Sequence, residues 1–332
     1  MDRVVIIGLG LIGGSIGMSL KAAKVRNLEV VGVDRDWGTV NMAKKKGAVD
    51  QTERAASVAV KNAQLVIVAT PLMAIPDVFQ EIAPHLPEGC IVTEVGSTKA
   101  RVLEWAAELL PPTVDFVGGH PMAGKETSGI QSATPSLFQG TTYCIVPAPS
   151  ASKAAVEVII GLATTVGATP YFVGAAEHDL LVAGVSHLPL LLSAALVSSV
   201  SKSPSWDDMS KLASSGFRDV SRLASSDLEL SKGISLTNKE SILHWLDAYI
   251  DMLRGYRQSL ADDTDALVEE LASAQVARDK WVLGVRGSQS SGAIENVPTT
   301  SELMTELFVG GKMSQIMHDQ DKKLKEMEKK NG

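Results

Sequence analysis

The stretch VGGHPMAGKETSG, running from Val117 to Gly129, gathers residue types from which proton chemistry is built. His120 carries the side chain most ready to exchange a proton near neutral pH. Gly118 and Gly119 before it allow close backbone approach by a ligand, and Pro121 fixes the direction in which the chain leaves. A histidine that merely ends a strand, satisfied by backbone, would have the same local sequence. The reading therefore depends on what other segments bring to it.

A second cluster lies near the start of the chain. In VVIIGLGLIGGS, Gly8-x-Gly10-x-x-Gly13 follows a strand-like run and opens a helix-like one that begins through Leu11 and Ile12. That context suits a dinucleotide: Gly8 makes the tight turn, Gly10 admits the pyrophosphate, and Gly13 lets helix and strand pack closely. The free N–H groups of the helix start would hold the anion. Asp34 ends the next strand-like run, about 20 residues past Gly13, where a carboxylate holds the ribose hydroxyls of NAD and repels the extra phosphate of NADP. Arg35 beside it could instead pair with that phosphate, so NAD is expected first and NADP second. Two further loops end strand-like runs, Thr70-Pro71 after LVIVA and Ser97-Thr98-Lys99 in VGSTK. Lys99 reads equally as a balance for cofactor charge and as a solvated first-turn lysine.

These loops need a scaffold that delivers them to one edge. The runs RVVIIG, EVVGVD, LVIVAT, CIVTEV, DFVGG, YCIVP and PYFV are continuous and rich in β-branched residues, with helix-like segments between most of them. Such runs predict a parallel sheet covered on both faces, with the first helix over about Gly13–Ala23. After Gly174 the pattern is helical throughout. The fold class predicted is α/β: an N-terminal Rossmann-type parallel-sheet domain over 1–174, then an all-helical dimerisation domain over 175–332. Ile242, Leu246, Tyr249, Ile250, Leu253 and Tyr256 share one face of a long helix, and a second such helix follows near Leu267–Val282. One domain of this size offers little to cover both, so a homodimer is expected. The tail DQDKKLKEMEKKNG reads as a solvated end.

Bulk properties narrow the function classes. The 332 residues carry a formal charge of −7, with 45% hydrophobic and 21% charged residues. This balance speaks against nucleic acid as a partner. Cys90 and Cys144 read as buried small hydrophobes, not as a disulfide, and no metal-ligand spacing is visible. The apolar run Leu188–Val197 is too short to span a bilayer, and the chain enters a strand from its first residues without a secretory signal. A cytoplasmic protein without membrane or nucleic-acid partner is expected.

GLGLIGGS, GSTK, GGHPMAGKETSG, EHDLLVAGVSHLP and GFRDVSRLASSD together resemble the prephenate/arogenate dehydrogenases of tyrosine biosynthesis, from Val4 to about Arg278. The resemblance implies oxidative decarboxylation of a cyclohexadienol with hydride transfer to NAD. It implies that His120 hydrogen-bonds the ring hydroxyl, that Ser97 orients His120 and substrate, and that Arg222 binds a substrate carboxylate. His187 would be a second histidine of the pocket and Glu126 would stand at its mouth. The chain departs from the family where Leu190 replaces a second histidine after SHLP, and where Leu228 and Ser231 replace a proline and a tryptophan after ASSD. These changes bear on the choice between prephenate and arogenate.

The residues themselves agree with that chemistry. A base beside the hydroxyl assists as C=O character develops, and histidine suits the task. The substrate is a dianion and calls for cations. Arg218 and Arg222 stand four apart on a predicted helix, with Phe217, Val220 and Leu223 as an apolar stripe. Arg222 suits bidentate donation to a carboxylate, with Asp219 as a competing partner. Arg218 reads equally as a ligand and as a solvated base. His187 could instead fill a backbone gap left by Pro189, and His178 reads as structural or as a helix start. A β-hydroxyacid-type dehydrogenase would need a helical-domain lysine that is not evident. A non-catalytic NAD sensor would need neither His120 nor the arginines.

Overall fold

The computed structural model describes residues 2–125, 127–262 and 264–284. The chain begins with β1 (Asp2–Ile7), α1 (Leu11–Ala22), β2 (Leu28–Val33), α2 (Trp37–Lys45), β3 (Gln51–Thr52), α3 (Ala56–Ala59) and β4 (Leu65–Val68). It continues with α4 (Ile75–Ile82), β5 (Ile91–Glu94), α5 (Ala100–Leu109), β6 (Asp115–Pro121), β7 (Thr142–Pro147), α6 (Lys153–Thr165) and β8 (Thr169–Phe172). The strands form one sheet in the order β3-β2-β1-β4-β5-β6-β7-β8. Its first six strands follow the doubly wound order in which ligands sit where the strand order reverses, here between β1 and β4. Val5, Ile6, Val66, Ile67 and Val92 have no exposed surface, as expected of strands covered on both faces.

Two details differ from the sequence expectation. The sheet is not parallel throughout: β7 runs antiparallel to β6, and β8 is parallel to β7. A parallel partner needs a crossover, usually a helix, whereas the described residues of 122–141 hold a single 3-10 turn, at Ile130–Ser132. That connection instead folds back over α1 and α2. Lys46 Nζ donates to the carbonyls of Ile130, Gln131 and Ala133, at 3.0, 2.8 and 3.0 Å. Ser15 Oγ accepts from Thr134 N–H at 3.0 Å. The segment after His120 is thereby fastened over the first helix. That helix also starts at Leu11, two residues before the expected Gly13, because Gly10 already takes the N-cap position.

Beyond the sheet come α7 (Ala175–Val182), α8 (Leu188–Ser201), α9 (Trp206–Leu212), α10 (Ser215–Ser221), α11 (Leu228–Thr237), α12 (Lys239–Asp262) and α13 (Thr264–Val282). A π-turn at Ala183–His187 joins α7 to α8. Pro189 brings no N–H to the helix, and a π-turn just before it re-spaces the backbone bonds. Trp245 packs on this turn. A Cβ on Gly184 would lie 2.8 Å from its Cε2, and its Nε1–H donates to Leu180 O at 2.8 Å.

The helical stretch Ala175–Ser201 is long and apolar enough to cross a membrane by length and composition, which the shorter run seen in the sequence was not. Of its polar residues, His178, Asp179, His187 and Ser193 are buried within the protein, whereas Glu177, Ser198, Ser199 and Ser201 are exposed. Compact units divide at Asp251/Met252. In the second, Leu253, Leu260, Leu271 and Trp281 are exposed. The charged tail lies outside the described residues.

Candidate functional site

Gly8 adopts φ +96°, a conformation natural to glycine, and a Cβ there would lie 2.5 Å from Ala69 O. A Cβ on Gly13 would lie 1.9 Å from Gly8 O, so only glycine lets α1 come this close to the turn. No side chain caps the start of α1, which leaves the first-turn N–H groups around Leu11 and Ile12 for an anion. Thr70 Oγ1, on the loop after β4 with Pro71, is buried with no partner. Asp34 Oδ2 accepts from Leu9 N–H at 2.8 Å and its Oδ1 from Asp36 N–H at 2.9 Å, so the carboxylate is held just past the end of β2. A cavity of about 390 Å³ opens there, lined by Asp34, Arg35, Trp37 and Arg54, with the Arg54 guanidinium 5.2 Å from the Trp37 ring centre. A bare helix start, an orphaned hydroxyl and a cavity that sets one carboxylate and two guanidinium groups beside an aromatic ring fit a dinucleotide. Trp37 and Arg54 were not foreseen, because nothing in the linear sequence ties the end of β2 to the loop after β3.

The loop after β5 carries Ser97, half-buried, followed by Thr98 and Lys99, both fully buried. The solvated reading of Lys99 is corrected. Its Nζ is ion-paired with the equally buried Glu94 and donates to Gly119 O at 2.6 Å. Burial pushes the Glu94 carboxyl up and the Lys99 ammonium down, each opposed by its partner. The pair sits directly under the backbone that presents His120.

His120 is buried at the end of β6, with its Nδ1 2.9 Å from His178 Nε2. His178 Nδ1 lies 2.8 Å from Asp179 Oδ1. That carboxylate also accepts Lys99 N–H at 2.7 Å and Ala100 N–H at 2.9 Å, capping α5 from α7. Asn238, after α11, donates to Asp179 O at 2.7 Å and approaches His187 Nδ1 at 3.2 Å. His187 Nε2 is buried and has no partner. Burial, aided by the charges of His178, Lys99 and His187, holds His120 well below the usual histidine range. Burial takes His187 down to about 4, against the attraction of Asp179. His120 is therefore a neutral base at pH 7.

The structure thus brings His120 and His187 into one buried cluster. It also makes His178 a direct neighbour of His120, where the sequence favoured a structural role. The adjacent His178-Asp179 pair was the available signal, but only the fold shows that it reaches β6. Arg218 and Arg222 do not share one helix. α10 ends at Ser221 and Arg222 opens a 3-10 turn; both arginines are exposed, and Val220 of the expected apolar stripe is exposed too. Leu190 packs against the main hydrophobic core. Glu126 lies outside the described residues. Cys90 and Cys144 are buried free thiols, as expected.

Two expectations follow. Lys99→Met leaves the Glu94 carboxylate buried and unpaired and should cost about 3–5 kcal/mol in urea unfolding, whereas Lys99→Met with Glu94→Leu should recover most of it. An intact midpoint for the single variant would contradict the pairing. For His187 the folded pKa is depressed, so the unfolded chain binds more protons below pH 6.5 and stability falls as pH is lowered from there toward 4. The parent should therefore lose about 1–2 kcal/mol between pH 7 and 5 that His187→Gln does not. Unfolding curves at both pH values for both proteins read this directly, and a gap that stays constant would refute it.

A family model described as the prephenate dehydrogenase nucleotide-binding domain matches residues 16–171, and one described as the prephenate dehydrogenase dimerization domain matches residues 174–273. Prephenate dehydrogenase of Bacillus subtilis is 33% identical over 292 residues, covering 86% of this chain and 78% of the relative. The structure of Synechocystis arogenate dehydrogenase superposes with a TM-score of 0.72 at 30% identity, over 84% of this chain and 99% of that one. That of prephenate dehydrogenase from A. aeolicus, in complex with hydroxyphenyl propionate and NAD+, does so with a TM-score of 0.79 at 26% identity, over 84% and 98%. Matched in order along both halves, and over most of the length of its relatives, the chain belongs to the prephenate dehydrogenase family.

Proposed function

We propose that the protein oxidatively decarboxylates prephenate to 4-hydroxyphenylpyruvate in tyrosine biosynthesis, with NAD as hydride acceptor. The observation that carries this reading is a buried, neutral His120 on the sheet edge that also bears the glycine turn, in a chain of this family. The glycine turn, Thr70, Pro71 and Asp34 hold the dinucleotide, with Arg35 at the pocket rim. Bound NAD supplies the hydride acceptor. His120 takes the proton of the ring hydroxyl as C=O character develops and returns it when loss of carbon dioxide makes the ring aromatic, so the proton is borrowed. Ser97 orients His120 and the hydroxyl. Arg222, with Arg218 four residues before it, meets a substrate carboxylate, and the buried N–H of His187 donates to the substrate.

The apolar residues exposed on α12 and α13 and the matched dimerization model support a homodimer. In that setting the stretch Ala175–Ser201 serves as an interior helix of a cytoplasmic enzyme.

Offered prephenate or arogenate with NAD or NADP, the purified protein should reduce NAD with prephenate and use NADP poorly. Turnover confined to arogenate would move the assignment to the arogenate branch of the family, and none with either would refute it. His120→Asn should lower kcat roughly 10²–10⁴-fold with little change in NAD affinity. Arg222→Gln should mainly raise KM, by about 10- to 150-fold, since a carboxylate is held in ground and transition states alike. A variant with a lower melting temperature and unchanged KM would remove Arg222 from the site.

A further inference from the structure

Two buried histidines of the candidate site have their ring protons dictated by one residue. A carboxylate oxygen toward a backbone N–H can only accept, and Asp179 receives two such donors, from Lys99 and Ala100. Its remaining contact, His178 Nδ1 at 2.8 Å, is therefore an N–H donor. In neutral His178 the other nitrogen, Nε2, then carries a lone pair. That lone pair faces His120 Nδ1 at 2.9 Å, so His120 holds its proton on Nδ1 and keeps Nε2 open as a base.

The other side of Asp179 works through its carbonyl, which also can only accept. The atom of Asn238 that approaches it at 2.7 Å is thus the NH2 group, which settles the orientation of the amide. The same NH2 group meets His187 Nδ1 at 3.2 Å, which makes that nitrogen an acceptor. His187 carries its proton on Nε2, the buried atom with no partner. His178, Asp179, His187 and Asn238 are each at least 95% buried, at 1, 3, 2 and 5% exposure, so water does not compete for these bonds.

We propose that Asp179, through His178 on one side and Asn238 on the other, sets opposite tautomers on His120 and His187, making the first an acceptor and the second a donor toward the substrate. His178, Asp179 and Asn238 are positioning residues under this proposal, which rests on the function proposed above for its kinetic consequences but not for the tautomers themselves. A proton arriving on His120 Nε2 leaves the Nδ1–H bond to His178 in place, so the ring need not turn between steps. The donor on His187 is held ready for an anionic or carbonyl oxygen.

The test is a long-range 1H–15N correlation spectrum of the full chain labelled with 15N-histidine at neutral pH, assigned with His120→Asn and His187→Asn. The expected result is His120 protonated on Nδ1 and His187 on Nε2; finding both on Nε2, or the two reversed, overturns the proposal. Kinetics give a second reading. His178→Leu removes the acceptor and should lower kcat on the order of 10²-fold with KM little changed, while His178→Gln, whose carbonyl can accept the Nδ1–H, should regain part of it. Asn238→Leu should act on KM instead, by about 10-fold, through a misdirected His187. Equal effects of Leu and Gln at His178, or a kcat loss without a KM change at Asn238, would count against the mechanism. If the protein oxidises neither prephenate nor arogenate, the spectrum still decides the tautomers, and only the function fails.

Discussion

The Asp179 carboxylate stands at the N-terminus of α5 and supplies the cap that this helix lacks from its own sequence. A helix start leaves several N–H groups without partners, and burying them unpaired is costly. Here the partner comes from α7, some 80 residues further on. One bond set thus fastens the first helix beyond the sheet to the loop after β5, and the neighbouring His178 and Asn238 take their places from it. Because the carboxylate is buried, its geometry is not shared with water. Every group it touches inherits a defined donor or acceptor role.

A second constraint lies beneath. Glu94 and Lys99 are wholly enclosed, an arrangement whose desolvation cost rivals its attraction, so it is weak evidence for stability. Its geometry has another consequence. Lys99 reaches past its partner to Gly119 O, one residue before His120, and Glu94 Oε2 takes Gly96 N–H at 2.6 Å. The ends of β5 and β6 are held in register by charge-assisted bonds where apolar packing gives way to a polar edge. The lysine also adds positive charge near His120 and helps to keep that ring neutral. A hydrophobic replacement of equal volume would pack, but would not align two loop ends by directed bonds.

Much of the fold was legible because it rests on local patterns. Apolar β-branched runs mark strands buried on both faces, and the glycine spacing at Gly8, Gly10 and Gly13 states a turn that only those residues can make. Asp34 declared itself through its distance from that turn. The reversal at β7 was not legible: strand direction depends on the path of residues 122–141, and an apolar run reads alike in either direction. The break between Arg218 and Arg222 was hidden for a similar reason, since α-helical and 3-10 turns share composition.

In the site, the sequence by itself determined which residues can do chemistry. His120 between glycines and proline, the glycine turn and the acid at Asp34 follow from residue type and short spacing. What tertiary structure alone decided is what state those residues are in. Lys99 looks like a surface lysine until β5, β6 and α7 enclose it, and His178 looks like a helix start until it meets His120 across 58 positions of chain. Burial and partnership are properties of packing between distant segments, and they set charge and proton position. A linear pattern carries the identity of a histidine, but which of its nitrogens holds the proton is written only by its neighbours in space.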